Sequence, residues 1–395
     1  MSSTQDYAPP PPVATATVIA ALFLGVVAIM MTGLQPVLLG GLVEENRLTE
    51  ATLGRLAWVE AAALAVAAAI GPRLLRLVPA RRTVASACFV LALANAEVYL
   101  THEPSLLFAS RTVAGLIEGL LLATVNIATT RARHPERLNA AFLMLAAIPQ
   151  TIAAYALPAV VIPRFGADSG FAILCALAVA AIFVSFRLGP EIQDPPRRAS
   201  GTRVWTPAVF LGVCGVVLQT AANGAAWEYQ ARIGQNLHFS GDVVGAAIAA
   251  DLVVQILGTF AVAWVAWRMP FKTMVLASAV LQACIMLAMP LVHAPSAYIA
   301  LCALFGMFWM GANPYQMSLL IDLDQTRQVA LLLASLQLLG FSVGPLICSF
   351  FVSPGNVAGA FRCAAAIALL AFALYFAAAF VSSLTPVARR ALAMK

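Results

Sequence analysis

Charge is what this sequence has least of. Asp, Glu, Lys and Arg make up 10% of 395 residues while 62% are hydrophobic, and a chain so short of polar side chains cannot cover a surface that faces water on every side. A soluble globular protein is excluded, and an all-α integral membrane protein is expected. The four histidines, at 102, 134, 238 and 293, show no ligand spacing, so no metal site is expected. The seven cysteines include no C-x-x-C pair and lie within or at the ends of apolar runs, as inert packing residues do. Neither histidines nor hydroxyl residues form a hydrolytic or group-transfer constellation, so no enzyme and no cofactor are expected. No segment outside the apolar runs is long enough for a signalling domain, which argues against a receptor. No basic patch is interleaved with aromatics, which removes nucleic acid as a partner. The first thirteen residues, ending in Pro9 to Pro12, hold no Lys or Arg and no small-residue cleavage pattern, so a removed signal peptide is not expected.

What is there is a series of apolar stretches, each near the ~20 residues that cross a bilayer. They run at about 14–42, 49–70, 83–100, 105–128, 138–162, 169–187, 206–228, 242–266, 273–292, 296–321, 328–352 and 359–383, which makes twelve helices. The longest polar interruption holds Pro190, Pro195, Pro196, Arg197, Arg198, Ser200 and Gly201 and separates six helices from six. The expected organisation is a Pro-rich tail over 1–13, a six-helix bundle over 14–187, a linker over 188–205, a second bundle over 206–383 and a tail over 384–395. If both termini are cytoplasmic, 17 of the 23 basic residues fall in cytoplasmic segments, and basic residues in short loops set orientation. Both ends are therefore expected inside, in a bacterial inner membrane. The net charge of +6 then reflects topology and contact with anionic lipid headgroups.

The two halves repeat without gaps. Glu60 and Asp251 lie 191 residues apart, each six residues after a glycine (Gly54, Gly245), and the same offset carries Gly33 onto Gly224, Thr49 onto Ser240, Pro79 onto Pro270, Arg81 onto Lys272 and Gly115 onto Gly306. Buried acids at repeat-related membrane positions are what ion- or proton-coupled carriers use. A carboxyl in low dielectric favours its neutral form and a neighbouring guanidinium favours the ionised one, so motion that alters their separation can load and release a proton. Glu60, Glu118 and Asp251 are the coupling candidates. Glu228 and Asp242 stand near expected helix ends and are read as solvated. No cluster of acids and hydroxyls favours sodium over protons.

Helix count, linker and repeat resemble the major facilitator superfamily, as do two motifs. The loop after the second helix reads Gly71-Pro72-Arg73-Leu74-Leu75-Arg76-Leu77-Val78-Pro79-Ala80-Arg81-Arg82. The opening glycine and the bases match the family, whereas Leu75 and Val78 replace its acid and second glycine. The resemblance implies that Gly71, Arg76, Arg81 and Arg82 belong to a cytoplasmic gate. The fourth helix reads Arg111-Thr112-Val113-Ala114-Gly115-Leu116-Ile117-Glu118-Gly119, similar to the family's arginine followed four and eight residues later by glycines. Arg111, Gly115, Glu118 and Gly119 share about a 100° sector of that helix. The resemblance gives Arg111 a part in proton coupling, and a guanidinium inside a bilayer needs an acid partner. Glu118 is two turns away, about 10 Å along the axis, so Glu60 or Glu97 on neighbouring helices is the alternative.

The resemblance also implies two pseudo-symmetric bundles with helices 1, 4, 7 and 10 around a central cavity. The substrate candidates on these helices are Gln35; Gln219, Asn223 and Trp227 in one stripe; and Trp309, Asn313 and Gln316 beside Pro314. To them is added Trp58, which like Trp309 lies near mid-membrane by count, where the interfacial belt does not explain a tryptophan. Rings and amides together fit a small organic solute, neutral or singly charged, with aromatic or hydroxylated character. The fifth helix lacks the glycine- and proline-rich exporter motif, which favours uptake by proton symport through alternating access; the alternative is a proton antiporter exporting lipophilic or cationic compounds. A monomer is expected.

Overall fold

Every apolar stretch forms helix. The computed structural model describes residues 14–100, 103–132, 135–193, 205–265, 270–324 and 329–393. The tail over 1–13, positions 194–204 of the linker, His102, Arg133, His134, Arg197, Arg198, Arg203, Trp267, Arg268, Arg327 and Lys395 lie outside the described residues. The first six helices are α1 (Thr15–Glu44), α2 (Glu50–Leu77), α3 (Ala80–Leu100), α4 (Pro104–Thr130), α5 (Pro135–Ala156) and α6 (Asp168–Ser185). α7 (Pro207–Asn236), α8 (Gly241–Val265), α9 (Phe271–Ala288), α10 (Pro295–Leu323), α11 (Leu333–Cys348) and α12 (Ala358–Ala393) follow. α5 continues through a π turn, Leu157–Val161, and a short helix, Ile162–Phe165. Among the described residues, eleven spans are long and apolar enough to cross a bilayer. The twelfth, α11, has 16 residues and follows a 3₁₀ turn, Ala330–Leu332.

Local chemistry sets the starts. Thr49 and Thr52 close a reciprocal capping box at the head of α2, Thr49 N donating to Thr52 Oγ1 at 2.8 Å and Thr52 N to Thr49 Oγ1 at 3.2 Å. Pro104, Pro207 and Pro295 each take a first helical position, where a missing N–H costs nothing. Several ends depart from the sequence expectation. α2 runs on to Leu77, taking in Gly71 to Leu77 of the stretch read as the loop after it, and α11 is shorter than the apolar stretch it comes from. α12 runs on to Ala393, through the segment read as a tail. α7 passes 228 and ends at Asn236, because residues 221–231 are buried on all sides by protein and polar side chains there find neighbours instead of lipid.

The repeat is visible in the packing. Gly54 on α2 lies against Pro345 O and Ser349 of the α11 end, and Gly245 on α8 lies against Ala154 O on α5 and Pro158. The offset of 191 relates Gly54 to Gly245, Ala154 to Pro345 and Pro158 to Ser349. Two matched seams therefore join the bundles, α2 to α11 and α5 to α8.

The seams lie on one side of the molecule only. One apolar core there unites the end of α1, the start of α2, α7 beyond Ala222, and the start of α10. Towards the chain ends the core divides in two: Ala20 to Ala28 with Val84 to Ala94 in the first bundle, Val209 to Val216 with Tyr315 to Ala330 in the second. The apolar core is thus shared by the halves at the loops around 45–49, 237–240 and 353–357 and divided between them at the side where α6 leads into the linker.

Candidate functional site

Arg111 is fully buried, and a dry guanidinium must find acceptors. It finds them on three helices. Nε stands 3.2 Å from Glu60 Oε2 while Nη2 pairs with Glu60 Oε1. Nη1 donates to Asn95 Oδ1 at 2.8 Å, and Glu118 Oε1 lies 3.6 Å from Nη2. Cζ sits 5.5 Å from the centre of the Phe171 ring. Gln35 Nε2 reaches Glu60 Oε2 at 3.4 Å. Glu60 is thus the direct partner, and Glu118 is a second one, since two helical turns bring it back to the same face and both side chains are long enough to close the axial gap. Gly115 and Gly119 admit the backbone of α2 at Glu60 and Leu64, which places the acid beside the base.

The cluster holds two carboxyls, both at most 3% exposed, against one guanidinium. A site this dry carries one negative charge too many unless a proton or another cation joins it.

Asp251 occupies the repeat-related position without a base. It is fully buried and accepts from Gln230 Nε2 at 2.9 Å and Gln255 Nε2 at 2.8 Å. Gly306 packs on it as Gly115 packs on Glu60, while Arg111 is replaced at the same offset by Cys302. Gln255 stands four residues after Asp251 on the same helix, whereas the sequence holds no cue to Gln230, which reaches it from α7.

The remaining candidates separate into two groups. Trp227 donates Nε1 to Thr32 O across the bundles at 3.0 Å and lies 5.9 Å from the Trp309 ring centre; Trp309 stacks on Phe341 at 5.8 Å and meets Phe305 at 5.7 Å. Asn223 is buried with Oδ1 lacking a hydrogen-bond partner. These residues stand where the bundles meet. Gln219 and Gln316 do not face an opening. Gln219 Nε2 donates to Ser278 Oγ and Gln282 Oε1 at 3.0 and 2.9 Å, and its Oε1 accepts from Tyr375 OH and Gln316 Nε2, both at 2.9 Å. Gln337 Nε2 extends the chain to Gln316 Oε1 and Asn313 Oδ1, each at 2.9 Å. This is a buried network inside the second bundle. Gln219→Leu should therefore lower the melting temperature in detergent, by about 1 kcal/mol of stability, and leave the apparent transport constant unchanged; a changed constant at unchanged stability would return Gln219 to the substrate group. Trp58 is half-buried and, two residues from Glu60, faces away from it on α2.

At the side where the core divides, Gly71 packs on Ala123, Arg81 donates Nε to Leu188 O, and Gln193 Nε2 donates to Val78 O at 2.7 Å. Arg131 Nη1 reaches Glu191 O at 2.7 Å. The start of the linker is thus fastened to the first bundle, and the contacts of Arg81 stay within that bundle. Arg76 and Arg82 are exposed.

The sequence pattern of the Major Facilitator Superfamily matches residues 21–323. The chain belongs to the major facilitator superfamily. The fold agrees: a crystal structure of an alanine mutant of the nucleoside transporter NupG superposes with TM-score 0.73 at 12% identity, covering 92% of this chain and 99% of that one. A second NupG structure gives 0.71 at 11% identity with the same coverage. No curated protein matches the sequence. This superfamily member is an integral membrane transporter of a small molecule.

Two polar residues of the site were missed or misread from sequence. Glu50, in the first turn of α2, is buried and clasps the second bundle: its Oε1 accepts from Arg232 Nη2 at 2.9 Å and Gly355 N at 3.0 Å, and its backbone O accepts from Tyr229 OH at 3.0 Å. Glu228, read as solvated at a helix end, is fully buried in α7. Asp242, read the same way, is exposed at the head of α8.

Proposed function

We propose that this carrier is a proton-coupled symporter of a small organic solute, neutral or singly charged, working by alternating access. The observation that carries it is the charge imbalance of the Glu60–Arg111–Glu118 cluster, dry and beside the seam. A proton corrects the imbalance without needing the several oxygen ligands that a sodium ion requires. With both ends in the cytoplasm of a bacterial inner membrane, the side where the core divides faces inwards, which fits a carrier poised to open to the cytoplasm. Between the bundles, Trp309, Trp227 and Asn223 supply rings and an unused carbonyl, which suits a solute with a ring and hydrogen-bond donors. The like-folded NupG structures are of a nucleoside transporter, and nucleosides have both characters, so they head the panel of solutes to try, followed by aromatic acids and sugars. The protein is read as a monomer, with its two bundles over 14–187 and 206–383.

The test is transport in proteoliposomes under an imposed pH gradient. Glu60→Gln and Asp251→Asn should each reduce uphill accumulation at least about tenfold, a loss of some 1.4 kcal/mol of driving interaction, while exchange of solute across the membrane stays measurable. Uphill transport retained in the neutral variants of Glu60, Glu118 and Asp251, singly and combined, would defeat proton coupling there. Trp309→Ala and Asn223→Ala should raise the apparent transport constant more than they lower folded yield; equal losses would make them packing residues. Outward movement of lipophilic cations against the same gradient would turn the reading to antiport.

A further inference from the structure

Glu228 is fully buried, and neither of its carboxyl oxygens has a hydrogen-bond partner. Buried ionised carboxylates are paired or hydrogen-bonded, and the alternative is the neutral acid. The partner that helix spacing offers, Arg232 one turn on, is turned away to Glu50 at 2.9 Å and to Gln235 Oε1 at 3.2 Å. Around Glu228, α1 carries no charged residue from Thr15 to Val43 and α11 none from Leu333 to Cys348. Asp251 on α8 is tied to Gln230 and Gln255, Lys272 on α9 pairs with Asp322 on α10 at 2.9 Å, and Tyr375 on α12 and Gln316 on α10 are engaged with Gln219. The repeat gives Val37 at the position equivalent to Glu228, so the fold itself does not require an acid there.

We infer that Glu228 is a second proton-binding site, contributed by the second bundle, whose protonation permits the seam side to close. This deepens the proton-coupled reading and rests on it. In the closed state Glu228 has no donor and no counter-ion among the described residues, so closure needs its proton. Once the bundles part at the seams, water reaches α7 between Trp227 and Gln235, and the acid ionises. The ionised group then opposes reclosing through the hydration it would lose. Proton loading from the seam side thus becomes a condition of turning over, distinct from the charge balance inside the Arg111 cluster.

Hydrogen exchange of the whole protein in detergent reads the closure directly, since local opening sets amide protection. In wild type, protection of residues 45–56 and 229–240 should fall by about fivefold or more between about pH 5.5 and pH 8, after correction for the intrinsic rate. Glu228→Gln should hold the low-pH protection across the range, and Glu228→Asp should keep the wild-type dependence. A pH-independent wild type, or a Glu228→Gln variant with wild-type dependence, overturns the inference. If Glu228→Gln does not fold, wild type and Glu228→Asp still decide, because protection that ignores pH in both is incompatible with the site. The assay uses no solute and no gradient, so a failure of proton-driven transport in proteoliposomes would show separately from a failure here.

Discussion

Arg111→Met should cost the folded carrier about 3–5 kcal/mol, the usual penalty for removing one partner of a buried ion pair. The guanidinium is the hub on which Glu60, Glu118, Asn95 and Gln35 converge directly or through Glu60. Without it two carboxyls stand close together with little water and no counter-ion. The check is the melting midpoint in detergent, together with folded yield. The double variant Arg111→Met, Glu60→Met should recover at least half of the loss, because buried pairs replaced as a whole by apolar groups of similar volume are often near neutral. Simple addition of the two single losses would show that the pair does not act as a unit. The double variant should still fail in pH-driven transport, which separates the cluster's part in stability from its part in coupling.

Gly115→Ala and Gly306→Ala should each destabilise by about 2 kcal/mol or more, at the upper end of what overpacking costs. The added carbon at 115 would fall on the backbone oxygen of Glu60 and 3.1 Å from Ala63 Cβ. At 306 it would meet the Asp251 carboxyl and stand 2.7 Å from that residue's backbone oxygen. A neighbour that is backbone cannot rotate away, so α2 or α8 must shift bodily, and the acid it carries moves with it. Gly40→Ala is the control: its new carbon would meet nothing nearer than Gln235 Oε1 at 3.5 Å. Melting curves of the three variants, with pH-driven transport for those that fold, check the prediction; a Gly115→Ala protein of wild-type stability and coupling would mean that the close approach of α2 and α4 is not what positions Glu60.

Much of the fold was legible because a repeat fixes pairs of positions independently of any local pattern. The offset that relates Glu60 to Asp251 also relates the residues that the two seam glycines touch, which no periodicity within one helix could have announced. The pairing of Arg111 with Glu60 was readable as one of two options, since a buried base needs an acid. The C-terminal amide network was not. Gln219, Asn223 and Trp227 make a stripe on α7, but a helix enclosed by protein has neighbours all round, and successive positions four apart drift by about 40°. Gln219 ends inside its own bundle while Trp227 reaches Thr32 across the seam. Glu228 was misread for a related reason: hydropathy ends a span at the first run of polar residues, whereas α7 carries Glu228, Gln230 and Arg232 within protein, not lipid.

The matched seams also have a mechanical consequence. Gly54 against Pro345 and Gly245 against Ala154 are two latches cut from one template and set on opposite flanks of α7 and α1. Equal latches share the load of holding the door, and neither alone fixes the direction in which it swings. A bulky residue at Gly54 would free one flank only, and the halves would then pivot about the latch that remains at Gly245, opening as a skewed wedge through which the path for solute runs along α2 and α11.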